Sequence, residues 1–458
     1  VVAAAPAIGG AAAPALDGVA VTPARSASGP ARDVIPSGIV TSPQEDVIRH
    51  PRPSEPLDAR WRWGLEEAGR RTGSGAWVAF GFRRLLAPGH VIVDDSRGFD
   101  FRDLDRGRTL GERVLGPDWT PRDSDTAGRY PILVLFHVRE GVTDRITMRS
   151  ADTGLETGGD PIFWLGEADA DEAVAFLTDR LDSPDTPTTD PRLREVVVEA
   201  IAIQPSEDSV DVLRGILAGS EPDDVREAAV EGLAWHPGDD VVAILRRVAL
   251  EDGSADIRAE AAETLGEISS PAASAALREV ILRGEPEDVR AEAVEAAAER
   301  QDPALADVLV EVALNDPSDD VRVEAIETLS EFPRDLALPR IRRLARTHPE
   351  AEMRKQAVEH AANLPPHDLL PLLREVFDDE TDSGVLRQAV ETLSELPREL
   401  AVPELERLLR GHPSEEVRDE ALDVVADLVI GDLDSDRDLD VDADIDGYTD
   451  VEIFRDPR

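Results

Sequence analysis

The sequence predicts a mainly α chain: a solenoid of stacked helical hairpins with a 32-residue period, preceded by a small α+β domain with an antiparallel sheet. Three observations carry this expectation. A motif close to Val-Arg-x-x-Ala-Val-Glu-x-Leu returns at a step of 32 residues, at Val225-Arg226, Ile257-Arg258, Val289-Arg290, Val321-Arg322 and Met353-Arg354, with weaker copies at Leu193-Arg194, Val385 and Val417-Arg418. Upstream of it, aromatic and β-branched runs gather five of the six tryptophans: Trp61, Trp63, Trp77, Trp119 and Trp164. Proline or glycine punctuates the repeats at Pro237-Gly238, Pro333, Pro365-Pro366 and Pro397, where helices must turn. A single helix pair cannot hide its apolar stripe, so neighbouring pairs stack and share a core.

Residues 1–52 are rich in Ala, Pro, Gly and Ser and lack periodicity, which predicts a flexible leader. The opening Val-Val-Ala-Ala-Ala-Pro-Ala-Ile is similar to the small-residue surroundings of a signal-peptide cleavage site, so export to an extracytoplasmic location is expected. Residues 53–166 form the α+β block. Pro56–Arg71 reads as a helix with Trp63, Leu65 and Ala68 on its buried side. Strands are expected at Ala76–Phe82, His90–Val93, Tyr130–Val138 and Val142–Met148, with Arg139-Glu140-Gly141 as a hairpin turn and 102–127 as a loop. The tryptophans are assigned to the core. Asp169–Asp182 predicts a helix that covers the end of the solenoid, and 183–190 a linker.

The solenoid spans 167–430. Its first helices carry apolar residues four apart (Val225, Ala229, Leu233; Ile257, Ala261, Leu265; Val321, Ala325, Leu329). Its second helices carry the rows Leu213, Leu245, Leu277, Leu309, Ile341, Leu373, Leu405 and Ile216, Val248, Val280, Val312, Leu344, Val376, Leu408. Acidic pairs at Asp223-Asp224, Glu287-Asp288, Asp319-Asp320 and Glu415-Glu416 suit helix N-termini. The Asp-x-Val-Arg-x-x-Ala-x-x-x-Leu helix followed by a Leu-rich helix resembles HEAT repeats of the short, PBS-lyase-like type. That resemblance implies an α-solenoid which binds other proteins along a groove. At Val385 the pattern departs: Leu386 replaces the arginine and Gly384 the acid, so an arginine–aspartate ladder between repeats would be interrupted there. Deoxyhypusine hydroxylase has related repeats, but its iron ligands come from His-Glu dipeptides, and none occurs here. The bilin lyases are similar too, yet no acceptor or catalytic constellation can be assigned from these residues.

With 96 acidic and 49 basic residues the formal net charge is -47, and Lys355 is the sole lysine. Nucleic acid and anionic membranes need a positive footprint, so this charge argues against both. It favours cations, basic partners or a salty medium that screens self-repulsion, as in a protein from a salt-loving organism. There is no cysteine, which excludes disulfides, thiol catalysis and thiolate zinc sites. No run of apolar residues is long enough to span a membrane.

Two acidic features are candidate sites. Glu199, Glu231, Glu263, Glu295, Glu327, Glu359, Glu391 and Asp423 share one repeat position opposite the buried stripe; stacking would align them as a ridge for a basic protein partner. The plainer account makes them solvated helix faces. In the tail, 431–458, Asp442, Asp444 and Asp446 stand at loop positions 1, 3 and 5 before Gly447, with the Tyr448 carbonyl, Asp450 and Glu452 following. Calcium takes six to eight oxygens from such a loop. The stretch resembles the Asp-x-Asp-x-Asp-Gly loops of dockerin-like and thrombospondin type 3 repeats, although Ile453 replaces their final glutamate. Without metal, it is a disordered acidic tail.

Together these features point to a non-enzymatic, exported, salt-adapted scaffold that binds proteins and carries a calcium-ordered tail. An alternative places chemistry in the α+β domain, at His90, Asp94, Asp95 and His137, with the solenoid as a docking arm. A third makes the chain a self-assembling surface subunit, its partner a second copy.

Overall fold

The computed structural model describes residues 2–3, 47–71, 75–85, 91–95, 129–151, 153, 155, 157–181, 190–236 and 238–435. They fall into two compact units, Val1–Ile268 and Ser269–Arg458. None of the described helices is long and apolar enough to cross a membrane.

The first unit opens with strands β1 (Val2–Ala3) and β2 (Val47–Arg49), helix α1 (Leu57–Arg71), and strands β3 (Ala76–Leu85), β4 (Val91–Asp95), β5 (Arg129–Arg139), β6 (Val142–Ser150) and β7 (Ile162–Glu167). Two short pieces of the expected leader are thus strands. The order across the sheet is β1-β4-β6-β5-β3-β7-β2. The sheet is mixed, which corrects the antiparallel expectation. β4, β6, β5 and β3 are antiparallel neighbours, but β7 runs parallel to both β3 and β2. A tight turn can join only antiparallel strands, whereas parallel neighbours need a long connection. Between β6 and β7 the chain runs on through 151–161 and enters on the far side of β3; α1 provides the corresponding crossover from β2 to β3. The β5–β6 turn is the expected hairpin, with Glu140 (φ 55°) and Gly141 (φ 81°) in the left-handed conformation that suits a two-residue turn.

Both faces of the sheet are buried, which explains the unbroken apolar run in β5. On one face the Trp61 ring of α1 packs 5.0 Å from Phe136 and 5.4 Å from Phe176 of α2 (Ala170–Leu181), and Phe80 lies 5.5 Å from Phe176. On the other, Trp77, Ala79, Leu133, Leu135, Ile162 and Trp164 cluster with Ala151 and Leu155. Trp61, Trp77 and Trp164 are core residues as expected; Trp119 lies outside the described residues. The buried stripe of α1 is Leu57, Arg60, Trp61, Gly64 and Ala68, so Trp63 and Leu65 are only half-buried, against expectation. Gly64 decides this: a Cβ there would sit 2.9 Å from Val78 Cγ1, so its absence lets α1 settle on the sheet along that line. Arg60 goes down with it, donating to the carbonyls of Leu165 (3.0 Å) and Glu167 (2.9 Å) and to Glu172 (2.8 Å).

Helix α2 lies on the sheet through Phe176 and also packs on the first repeat. The repeats of the first unit are α3 (Pro191–Ala202), α4 (Glu207–Ala218), α5 (Asp223–Leu233), α6 (Asp239–Glu251) and α7 (Ala255–Glu267). The second unit holds α8 (Pro271–Arg283), α9 (Glu287–Arg300), α10 (Pro303–Asn315), α11 (Asp319–Glu331), α12 (Arg334–Thr347), α13 (Ala351–His360), α14 (Pro366–Asp379), α15 (Ser383–Ser394), α16 (Arg398–Gly411) and α17 (Glu415–Ser435). Odd numbers from α3 onward are first helices and even numbers second helices. Starts are set locally: Asp190, Ser270 and Asp302 each accept a backbone N–H and precede a proline at the first helical position. First helices pack on first helices within each unit, α3 on α5 on α7, and α9 through α17 in turn. All the periodic apolar residues singled out above are buried, with Ala229, Ala261 and Ala325 fully enclosed where helices approach most closely.

Candidate interaction surface

Acidic residues serve two different ends in the repeats. The first is structural. In five first helices the repeat arginine reaches an acid 26 to 28 residues on: Arg194 to Glu221 (2.6 Å), Arg226 to Asp252, Arg290 to Asp316 (2.9 and 3.0 Å), Arg322 to Glu350 (2.9 Å) and Arg354 to Glu380 (2.6 Å), whereas Arg258, with Gly284 at that distance, donates to the Asp252 carbonyl. Arg290 and Arg354 also donate to the carbonyl six residues back, of Gly284 (3.1 Å) and His348 (2.9 Å). The guanidinium fork thus ties a helix start to the turn before it and to the next repeat. Leu386 is buried and apolar, and the ladder is interrupted there as expected. In that next repeat His412 stands in the acid's place and bonds the Phe377 carbonyl instead (3.3 Å).

Second helices of the second unit are strapped to one another in the same manner. Arg340 pairs with Asp307 (2.6 Å), Arg342 with Glu375 (2.8 Å), Arg346 with Asp379 (2.6 Å), and Arg374 with the buried Glu404 (2.8 Å); Arg334 pairs with Asp368.

First helices expose a different pattern. Glu231, Glu263, Glu295, Glu327, Glu359 and Glu391 are all exposed, on α5, α7, α9, α11, α13 and α15, as the repeat position requires. No arginine or lysine pairs with any of them among the described residues; Glu327 has only the His360 ring, at 3.9 Å. Their neighbours make the face more acidic. Carboxylate oxygens of Glu227, Glu231 and Glu260 all lie within 4.8 Å of one another, where α5 and α7 pack side by side. Burial, followed by repulsion from Glu231, Glu263, Glu227 and Glu267, pushes Glu260 up to about 8. Desolvation first, and then neighbouring carboxylates, also raises Glu227 and Glu231 above the usual carboxylate range. In the second unit Glu324 is raised by burial and by Glu327 and Glu295. Carboxylates held this way take up protons or gain from any cation brought to them. Glu227, Glu260 and Glu324 were missed by sequence reasoning, which followed a single repeat position. Their signal was acids three and four residues from that row with no basic residue three or four positions away on the same helix.

The calcium candidates Asp442, Asp444, Asp446, Tyr448, Asp450 and Glu452 lie outside the described residues, as does His90. Asp94 and Asp95 sit on β4, and β6 separates that strand from His137 on β5. His137 is buried, with Asp144 Oδ1 2.5 Å from Nδ1 and Asp160 Oδ2 2.9 Å from Nε2, so both ring nitrogens face carboxylates of the fold.

A family model described as HEAT repeats matches residues 162–234, 216–298, 280–359 and 339–426. Comparison with curated proteins finds no match. Among solved structures, Escherichia coli YibA is 19% identical, with 56% of this chain and 95% of that one covered and a TM-score of 0.32. Human deoxyhypusine hydroxylase in complex with glycerol is 22% identical, over 51% and 90% of the two chains, with a TM-score of 0.25. The complex of CpcE and CpcF of phycocyanin lyase from Nostoc is 18% identical, over 48% and 94%, with a TM-score of 0.27. None of these likenesses bears on activity or partners.

Proposed function

Because the chain belongs to the HEAT-repeat family, whose solenoids are typically protein-interaction scaffolds, we propose that it is a non-enzymatic scaffold binding a basic segment of a partner protein on the glutamate faces of its first helices. One observation carries this reading: among the described residues no arginine or lysine pairs with these glutamates, while acids at the joints and on the second helices of the second unit have arginines. A face whose charge is already neutralised offers a charged ligand little, whereas crowded, uncompensated carboxylates gain when arginine or lysine arrives. Titration of the chain with an arginine-rich peptide at several salt concentrations tests the idea. Binding should weaken as salt rises, and E295R/E327R/E359R together should weaken it by about tenfold or more. Equal affinity of this exposed-site variant and the parent would remove the proposal.

The same reading includes a calcium-ordered tail at Asp442, Asp444, Asp446, Tyr448, Asp450 and Glu452, and an extracytoplasmic, high-salt setting that suits the net charge of -47. Calorimetric titration with calcium should give a heat from the full chain that is larger than the heat from a chain ending at Ser435. Identical heats would dismiss the tail as the calcium site.

A further inference from the structure

The joint between α3 and α5 is held from outside by the sheet. These are the first helices of consecutive repeats, and they touch closely: a Cβ on Gly232 would lie 2.5 Å from the Ala202 Cβ. The His236 ring bonds the Ala202 carbonyl through Nε2 (2.7 Å). Carbonyls just past the ends of both helices then converge on one guanidinium from the end of β3. Arg84 Nη1 donates to the Ile203 carbonyl (2.6 Å) and Nη2 to the Trp235 carbonyl (2.7 Å), with the guanidinium 5.1 Å from the centre of the Trp235 ring. Carbonyls beyond a helix C-terminus lie at its negative end and have no partner within the helix, so a forked cation satisfies both at once. No carboxylate pairs with Arg84 among the described residues, and burial pulls it down to about 10. At the repeat position of Trp235 later copies carry Glu267, Glu299, Glu331, Asn363 and Glu395, so this ring–guanidinium stack belongs to the first joint.

We infer that Arg84 is a positioning residue that latches the α3–α5 joint to the sheet, so that the end of β3 and the first two repeats move as one block. The latch is independent of what the glutamate faces bind. Amide hydrogen exchange on the full chain tests it, comparing the parent with Arg84→Ala and Arg84→Lys. Arg84→Ala should raise exchange about tenfold at 199–203 and 231–236, leaving α6 and the centre of the sheet at their parent rates. Arg84→Lys keeps the charge but loses the fork, and should fall between the two. If Arg84→Ala does not fold, Arg84→Lys carries the test alone, with a local rise confined to those two turns. Unchanged exchange at the two turns, or an equal rise throughout the first unit, as from a general loss of stability, would overturn the inference.

Discussion

In α12, Arg342 and Arg346 reach Glu375 and Asp379 of α14, whereas in α11 Glu324 lies near Glu295 of α9 and near Glu327 and Glu331 of its own helix. The two helices follow one another in the chain but carry opposite charge, five acids and one arginine in α11 against five arginines and one acid in α12. They differ in what the stacked neighbour presents at the same height. Second helices put an arginine opposite an acid, and the pair helps to fasten one repeat to the next. First helices put acid opposite acid, so stacking itself raises the affinity of the face for protons and cations. Identical repeat geometry thus yields a fastened side and a reactive one, depending on which residue type recurs at the step.

The sharpest way to break this contrast is at the joints. Arg290 is buried and only 7% of the Asp316 side chain is exposed, so Arg290→Met leaves a largely enclosed carboxylate without its cation and should cost about 3 kcal/mol, read by urea denaturation. A loss below about 1 kcal/mol would mean that the ladder is ornamental. Next comes close packing of first helices. Ala325 is fully enclosed, and Ala325→Phe should cost about 1–3 kcal/mol through overpacking, with a matching fall in Tm. The acidic face should respond in the opposite sense. Because the Glu260 carboxyl is held at about 8 when folded against an ordinary 4.5, the folded chain binds its proton more tightly than the unfolded one. Its contribution is therefore fully present below pH 4.5 and is lost as pH rises towards 8. Glu260→Gln should flatten that decline and raise Tm at pH 8 by about 2 °C, a small figure because the group is partly solvated. Melting curves from pH 5 to pH 8 would show it; parallel curves for variant and parent would contradict the crowding. Smallest is Glu295→Gln on the exposed row, which should change stability by less than about 0.5 kcal/mol while still weakening binding of a basic peptide.

Much of the helical architecture was legible because side-chain rows such as Leu213 to Leu405 recur at a fixed step, and a helix with one apolar face has a single stable way to bury it. The glutamate row was legible for the same reason. Its crowding was not, since the closeness of Glu260 to Glu231 depends on how α7 lies against α5. The sheet shows the same limit. Strands β3 to β6 were visible as apolar runs, but β7 was not recognised as a strand in Ile162–Glu167, and its parallel placement between β3 and β2 followed from the path of the connection. Arg84 carries no local signal at all; its role exists only because two helix ends, over a hundred residues further along the chain, arrive at the end of β3. Sequence alone determined the repeat unit, its buried stripes and the position of its exposed acids, because these depend on neighbours three, four and 32 residues away. Tertiary structure decided the sheet's mixed order, which acids lose their solvent, and which arginines find carbonyls or carboxylates, because each of those depends on distances between segments that no local pattern encodes.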